Sequence, residues 1–337
     1  MAQEFRIASL DGLRGIAASA VVFSHLPFFY PSMHEWMKVS VGDEAVAIFF
    51  SLSGFLMSLL YSNRPVDAGN YLVHRFARIY PVYAVAVLFV AVVSIAYTDY
   101  IQPLHGVGQI VRHLALLGST GVFWSIPPEI QFYLFFVLLW LWFQNPVRYQ
   151  WICIMTAVLL AVDAYLGFPG PGILLTSKLP YFLFGALAGR LFAIQKTRPD
   201  GPVTGIATLA LLAFFFLCRS LIPTETTFWG LTSALIGTVI VYLAACSNRI
   251  SEVVLASRPL AFVGKISFSL YLFHVPVIFI GTRLLDGFLP AEPALLLSIG
   301  LAYVFAWASY TVIEDPSRRI LTGLWKNRPQ RLPAPAE

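Results

Sequence analysis

Residues 10–25 read LDGLRGIAASAVVFSH, and the reading of this run decides the fold. Continued to Tyr30 it is apolar enough to enter a bilayer as a helix, yet it carries Arg14 and His25. An ionisable residue inside a membrane helix costs roughly 2.5–3.5 kcal/mol on insertion scales, so each one marks a functional position. Eleven residues at about 100° each make three turns plus about 20°, which sets Arg14 and His25 on one face. Their axial separation is about 16 Å. A single buried histidine or snorkelling arginine has an ordinary structural explanation, but two in line on one face are not covered by it.

The rest of the chain puts that helix in a membrane. Of 337 residues, 58% are hydrophobic and 12% charged, with 28 Phe. Mean hydropathy is +0.76. A soluble domain carries about 25% charged residues, so this composition excludes a soluble enzyme, a secreted disulfide scaffold and a disordered chain. Cys153, Cys218 and Cys246 stand singly in apolar stretches, as packing residues, with no metal-ligand spacing. The histidines form no HExxH, so no metal site is expected. The net charge of +5 is scattered between apolar runs and records topology, with no nucleic-acid partner.

Ten apolar stretches approach the length needed to cross a bilayer. They are Leu10 to Tyr30, Glu44 to Tyr61, Ile79 to Tyr97, Glu129 to Phe143 and Trp151 to Leu166. Leu179 to Ile194, Val203 to Leu221, Phe228 to Ala245, Ile266 to Leu285 and Pro293 to Ile313 complete them. His105 to Gly118 reads as an interfacial or re-entrant segment. The predicted fold class is therefore all-α, a polytopic transmembrane bundle of about ten spans. With the N-terminus inside, one side receives Arg6, Arg64, Arg75, Arg78, Arg148, Arg190, Lys196, Arg198, Arg249, Arg258 and Lys265. Arg318, Arg319, Lys326, Arg328 and Arg331 add to it, whereas the other side has Lys38, Arg112, Lys178, Arg219 and Arg283. That imbalance places both termini in the cytoplasm. Residues 1–320 are expected to form one membrane domain and 321–337 a short disordered tail. The first run lacks a small-residue cleavage site and should stay attached; no soluble domain is expected to follow. No internal repeat of the transporter kind is evident.

Three further clusters carry polar groups at the membrane. HRFARIYPVY (74–83) sets Arg75 and Arg78 at i, i+3 on the inner side, either as positive-inside anchors or as a phosphate clamp. Pro81 is expected to start the span. FWSIPPEIQFYLFF (123–136) places Glu129 at the outer start of a helix, where the dipole favours a carboxylate and where His25 is within reach. IFFSLSGFL (48–56) holds Ser51, Ser53 and Gly54 for close helix contact. ISFSLYLFHVP (266–276) buries His274, read first as a helix–helix hydrogen-bond partner. A guanidinium and an imidazole three turns apart suit a long, anionic, extended substrate, and the pantetheine arm of an acyl-coenzyme A (acyl-CoA) has comparable length.

Taken in order across nearly the whole chain, LDGLRGIAASAVVFSH, IFFSLSGFL, the Arg75–Arg78 pair before IYPVY, WSIPPEIQFY, ISFSLYLFHVP and IEDPSRR form a pattern. It resembles the acyltransferase-3 family of integral membrane O-acyltransferases. The resemblance implies a bundle of about ten helices in the bacterial inner membrane and acyl-CoA, usually acetyl-CoA, as donor. It also implies a carbohydrate or glycolipid acceptor. By the same resemblance Arg14, His25 and Glu129 match catalytic positions, and Arg14, Arg75 and Arg78 match donor-binding ones. Pro127–Pro128 depart from the family's commoner Ser and Val before the Glu, which bears on local geometry and acceptor choice. The expected reaction has His25 as base toward an acceptor hydroxyl, or as a transient acyl carrier, with Glu129 orienting His25 or the acceptor. A multi-pass carrier or exporter of a small solute or glycan precursor is the alternative, and it predicts flux without thioester consumption.

Overall fold

All ten apolar stretches form helices in the computed structural model, which describes residues 7–30, 41–167, 172–221, 228–246 and 249–327. In chain order the helices are α1 (Ala8–His25), α2 (Gly42–Tyr61), α3 (Ala68–Ala96), α4 (Gly106–Leu114), α5 (Ile126–Gln144), α6 (Gln150–Tyr165) and α7 (Leu179–Ile194). Then come α8 (Pro202–Leu221), α9 (Leu231–Ala245), α10 (Arg249–Leu255), α11 (Arg258–Leu285), α12 (Ala291–Ser309) and α13 (Asp315–Lys326). Among the described residues there is no β-strand. Among the described residues five helical segments are long and apolar enough to cross a membrane, or six if the bent pair α9–α10 counts as one span. The chain is an all-helical, multi-pass membrane protein.

The helices depart from the apolar runs at their ends, for identifiable reasons. α1 stops at His25 and gives way to a 3₁₀ turn, Leu26–Phe28, because Pro27 has no N–H to continue the ladder. α3 begins at Ala68, where the Asp67 side chain caps the amide of Asn70 at 3.0 Å. Pro81 therefore lies inside α3 and does not start it. A π-helical turn, Tyr310–Glu314, joins α12 to α13. Pro316 follows it and cannot donate to the preceding turn. α13 extends to Lys326, six residues into the expected tail. Arg6, Lys38 and residues 328–337 lie outside the described residues.

On α3, Val85, Leu88, Val92 and Ile95 are exposed along one stripe, whereas Val82, Tyr83, Ala86, Val87 and Val90 are buried. The apolar stripe facing outward is what a bilayer requires. Small residues bring helix backbones together where the core needs them. A Cβ on Gly54 would sit 2.0 Å from the Phe182 carbonyl oxygen, so α2 and α7 meet backbone to backbone. α1 lies against α11 in the same way: a Cβ on Gly264 would sit 1.8 Å from the Asp11 carbonyl oxygen. That crossing fixes the helix carrying Arg14 and His25 to the helix carrying His274. The expected interfacial segment is α4, tied to α3 by Tyr83 donating to the His113 carbonyl at 2.7 Å and Tyr80 to the Leu114 carbonyl at 3.0 Å.

Candidate active site

Two cavities lie along α1 and share Val46 and Tyr271 as wall residues. The first, of about 700 Å³, is lined by Arg14, Arg75, Arg78 and Glu129, with Ser53, Tyr133 and Tyr271. The second, of about 590 Å³, is lined by His25, Ser24, Asp43, Phe28, Trp124 and Tyr271. Arg14 and His25 thus share a helix and open into different cavities.

Arg75 is 9% exposed. Its guanidinium donates to the Tyr61 hydroxyl at 3.3 Å and lies 5.7 Å from the Tyr61 ring centre and 6.0 Å from that of Tyr71. The aromatic faces hold the cation without neutralising it. Among the described residues none of Arg14, Arg75 and Arg78 is in an ion pair. Nε of Arg14 and Nε of Arg75 are buried and have no hydrogen-bond partner. Buried donors are nearly always satisfied, so two open guanidinium donors in one cavity are suited to oxygens of an anionic ligand.

Glu129 enters this cavity from the first turn of α5, where Pro127 and Pro128 cost no helical hydrogen bond. Its Oε1 accepts from the Tyr133 hydroxyl at 2.5 Å and from Ser53 Oγ at 3.2 Å. The hydrogen bonds of Glu129 run to these two residues and not to His25. Ser53, expected at a helix contact, is instead a partner of the carboxylate, while Gly54 makes the contact.

His25 closes α1. Its Nδ1 is 2.8 Å from the Val21 carbonyl oxygen, 3.3 Å from Ser24 Oγ and 3.4 Å from His274 Nε2. A carbonyl only accepts, so the hydrogen bonds assign the proton to Nδ1 and leave Nε2 bare. The same logic applies to His274, whose Nδ1 lies 3.0 Å from the Leu270 carbonyl oxygen and 2.9 Å from that of Tyr271. The two imidazoles pack edge to face with centroids 5.0 Å apart. Tyr271, between the cavities, donates to the Val122 carbonyl at 2.9 Å and lies 2.7 Å from Ser125 Oγ.

The structure therefore gathers Arg14, Arg75, Arg78 and Glu129 about one space and sets His25 beyond Tyr271. Tyr133, Tyr271 and Tyr61 are the side chains that sequence reasoning left out. Tyr133 follows Glu129 at i+4, a spacing that faces the two side chains toward each other; Tyr271 and Tyr61 carry no such local signal. Among the described residues no group of His, Cys, Asp and Glu could hold a metal ion.

A family model described as an acyltransferase domain matches residues 7–312. The chain is 28% identical over 366 residues to acyltransferase MdmB of Streptomyces mycarofaciens, covering 94% of this chain and 92% of that protein. It is 25% identical over 380 residues to the peptidoglycan O-acetyltransferase OatA of Listeria monocytogenes. That match takes in 96% of this chain, which spans only 59% of the length of that relative. No solved structure matches the chain.

Proposed function

The chain belongs to the acyltransferase family whose model matches residues 7–312, and from that premise we propose a membrane O-acyltransferase that moves an acyl group, acetyl in the first instance, from cytoplasmic acyl-CoA to a hydroxyl of a cell-surface or lipid-linked glycan. The observation that carries this reading is the line of open arginine donors, shared tyrosine wall and bare imidazole nitrogen along one helix. The proposed topology has ten crossings, both termini in the cytoplasm and the bacterial inner membrane as location, with residues 1–320 acting as one membrane domain. The charge imbalance between alternate loops supports that orientation.

In this reading the coenzyme's phosphates bind Arg75 and Arg78, and Arg14 holds an oxygen of the arm or of the thioester. The axial rise from Arg14 to His25, about 16 Å, suits an extended arm passing Tyr271. The acceptor hydroxyl arrives in the second cavity and gives its proton to Nε2 of His25. Its oxygen attacks the thioester carbon, the C–O bond forms, and the C–S bond breaks. The proton on Nε2 passes to the leaving sulfur, so the products are the ester, free coenzyme thiol and neutral His25. Glu129 acts from the arginine side, through Ser53 and Tyr133.

The test uses the full chain, purified and reconstituted in vesicles, with acetyl-CoA and a panel of glycans. Thiol release that depends on a glycan and matches its acylation one to one is expected. Movement of a solute across the vesicle without thiol release would overturn the proposal.

A further inference from the structure

His274 is buried to 0% exposure on α11, held against α1 by the Gly264 crossing. With its Nδ1 proton committed to the Leu270 and Tyr271 carbonyls, its Nε2 carries a lone pair. The donor within hydrogen-bond reach of that lone pair is Nδ1–H of His25 at 3.4 Å. The Val21 carbonyl, 2.8 Å from Nδ1 and also receiving Ser24 Oγ at 2.8 Å, shares this proton, so the contact to His274 is the longer arm of a three-centre hydrogen bond. His274 thus offers His25 a lone pair that no other side chain among the described residues shares.

We infer that His274 is a positioning residue for His25: its Nε2 accepts from His25 Nδ1–H, keeps Nε2 of His25 bare and turned to the second cavity, and takes up a stronger hydrogen bond when His25 becomes protonated. This rests on the proposed role of His25 as base. A neutral partner orients the ring and lets the proton leave again for the sulfur. His274 touches no reacting atom and acts only through His25.

Three variants test this, each assayed with radiolabelled acetyl-CoA in inverted membrane vesicles of the native host, at matched amounts of folded protein. His274→Leu removes the lone pair and is expected to lower kcat about 10- to 100-fold, the usual cost of losing an orienting partner, with the donor KM within about twofold of the parent. His274→Gln keeps an acceptor oxygen and is expected to restore kcat to within about threefold. If His274→Leu does not fold, His274→Phe keeps the ring and removes the lone pair. Parental kcat in the Leu or Phe variant, equal loss in the Gln variant, or a loss confined to KM overturns the inference. His25→Ala separates this from the larger reading: retained activity there removes the base assignment itself. Loss there, with parental kcat in His274→Leu, removes only His274.

Discussion

The two cavities along α1 differ in how their cations are treated. Around the first, Arg14, Arg75 and Arg78 are in no ion pair among the described residues, and two of them keep unpartnered donors. Beside the second, the cation is engaged. Lys178 sits 3.6 Å from the centre of the Trp229 ring and 5.5 Å from that of Trp124, a wall residue of this cavity. One end therefore holds fixed positive charge open to a ligand, and the other presents a neutral imidazole nitrogen beside one caged cation. Open charge in a walled space concentrates an anion; a bare imidazole nitrogen asks for a hydroxyl proton. A molecule built this way separates binding of an anionic donor from activation of a neutral acceptor.

The strongest way to break that separation is at His25. His25→Ala is expected to lower kcat by about 10³-fold, within the usual range for losing a general base. The affinity for acetyl-CoA, measured by titration calorimetry on the purified variant, should stay within about threefold of the parent. If donor binding collapses together with kcat, the two cavities are one site and the comparison fails.

Arg14→Ala probes the other end. Loss of one charge-assisted hydrogen bond, about 1.5–3 kcal/mol, corresponds to roughly a 10- to 100-fold rise in the donor KM. Arg14→Lys restores charge without the planar fork and should recover only part of it. The acceptor KM, read at saturating acetyl-CoA, should not move. A change confined to the acceptor would assign Arg14 to the wrong cavity.

Glu129 is the residue that can sharpen the boundary, since the sequence placed it near His25 and its hydrogen bonds run to Ser53 and Tyr133. Glu129→Gln keeps the shape and removes the charge beside three arginines. An effect of about tenfold on the donor KM is expected, one charged hydrogen-bond partner being at stake. A loss of kcat at constant donor KM, like that of His25→Ala, would instead join Glu129 to the histidine.

How much of this was legible in the chain depends on the range of each interaction. Arg14 and His25 share a helix, so spacing alone set their common face. The basic pair of α3 was equally plain, but the start of α3 was not. Residues 68–78 are too polar to read as a span, and the Asp67 cap that begins the helix needs local geometry to recognise. Pro81 misled for the same reason, because a proline can open a helix or sit within one. The partition into two cavities depends on Tyr271 and Val46, which come from helices far apart in sequence. The His25–His274 contact likewise joins residues 249 positions apart. No periodicity encodes such a pairing. It follows from glycines that let α1 and α11 touch.

The smallest expected effect concerns Lys178, in the turn before α7 and 6% exposed. Burial pushes its ammonium down from the ordinary 10.5 to about 8, with Asp43 pulling the other way. A lysine lowered in the folded state is destabilising while charged, so the cost is present below about 8 and is relieved as pH rises from there toward 10.5. In that window the unfolded chain binds the extra proton, and stability rises with pH. Lys178→Met removes this dependence. The thermal midpoint of the parent minus that of the variant should therefore climb by about 1–2 °C between pH 7.5 and pH 10, the scale of one kcal/mol in a chain of this size. A flat difference would mean that the ammonium is not held out of water. The same variant bears on the comparison between the cavities. A caged cation that is closed to ligand should leave the donor KM of the variant unchanged across this window. A donor KM that rises on losing Lys178 would show open charge at both ends of α1.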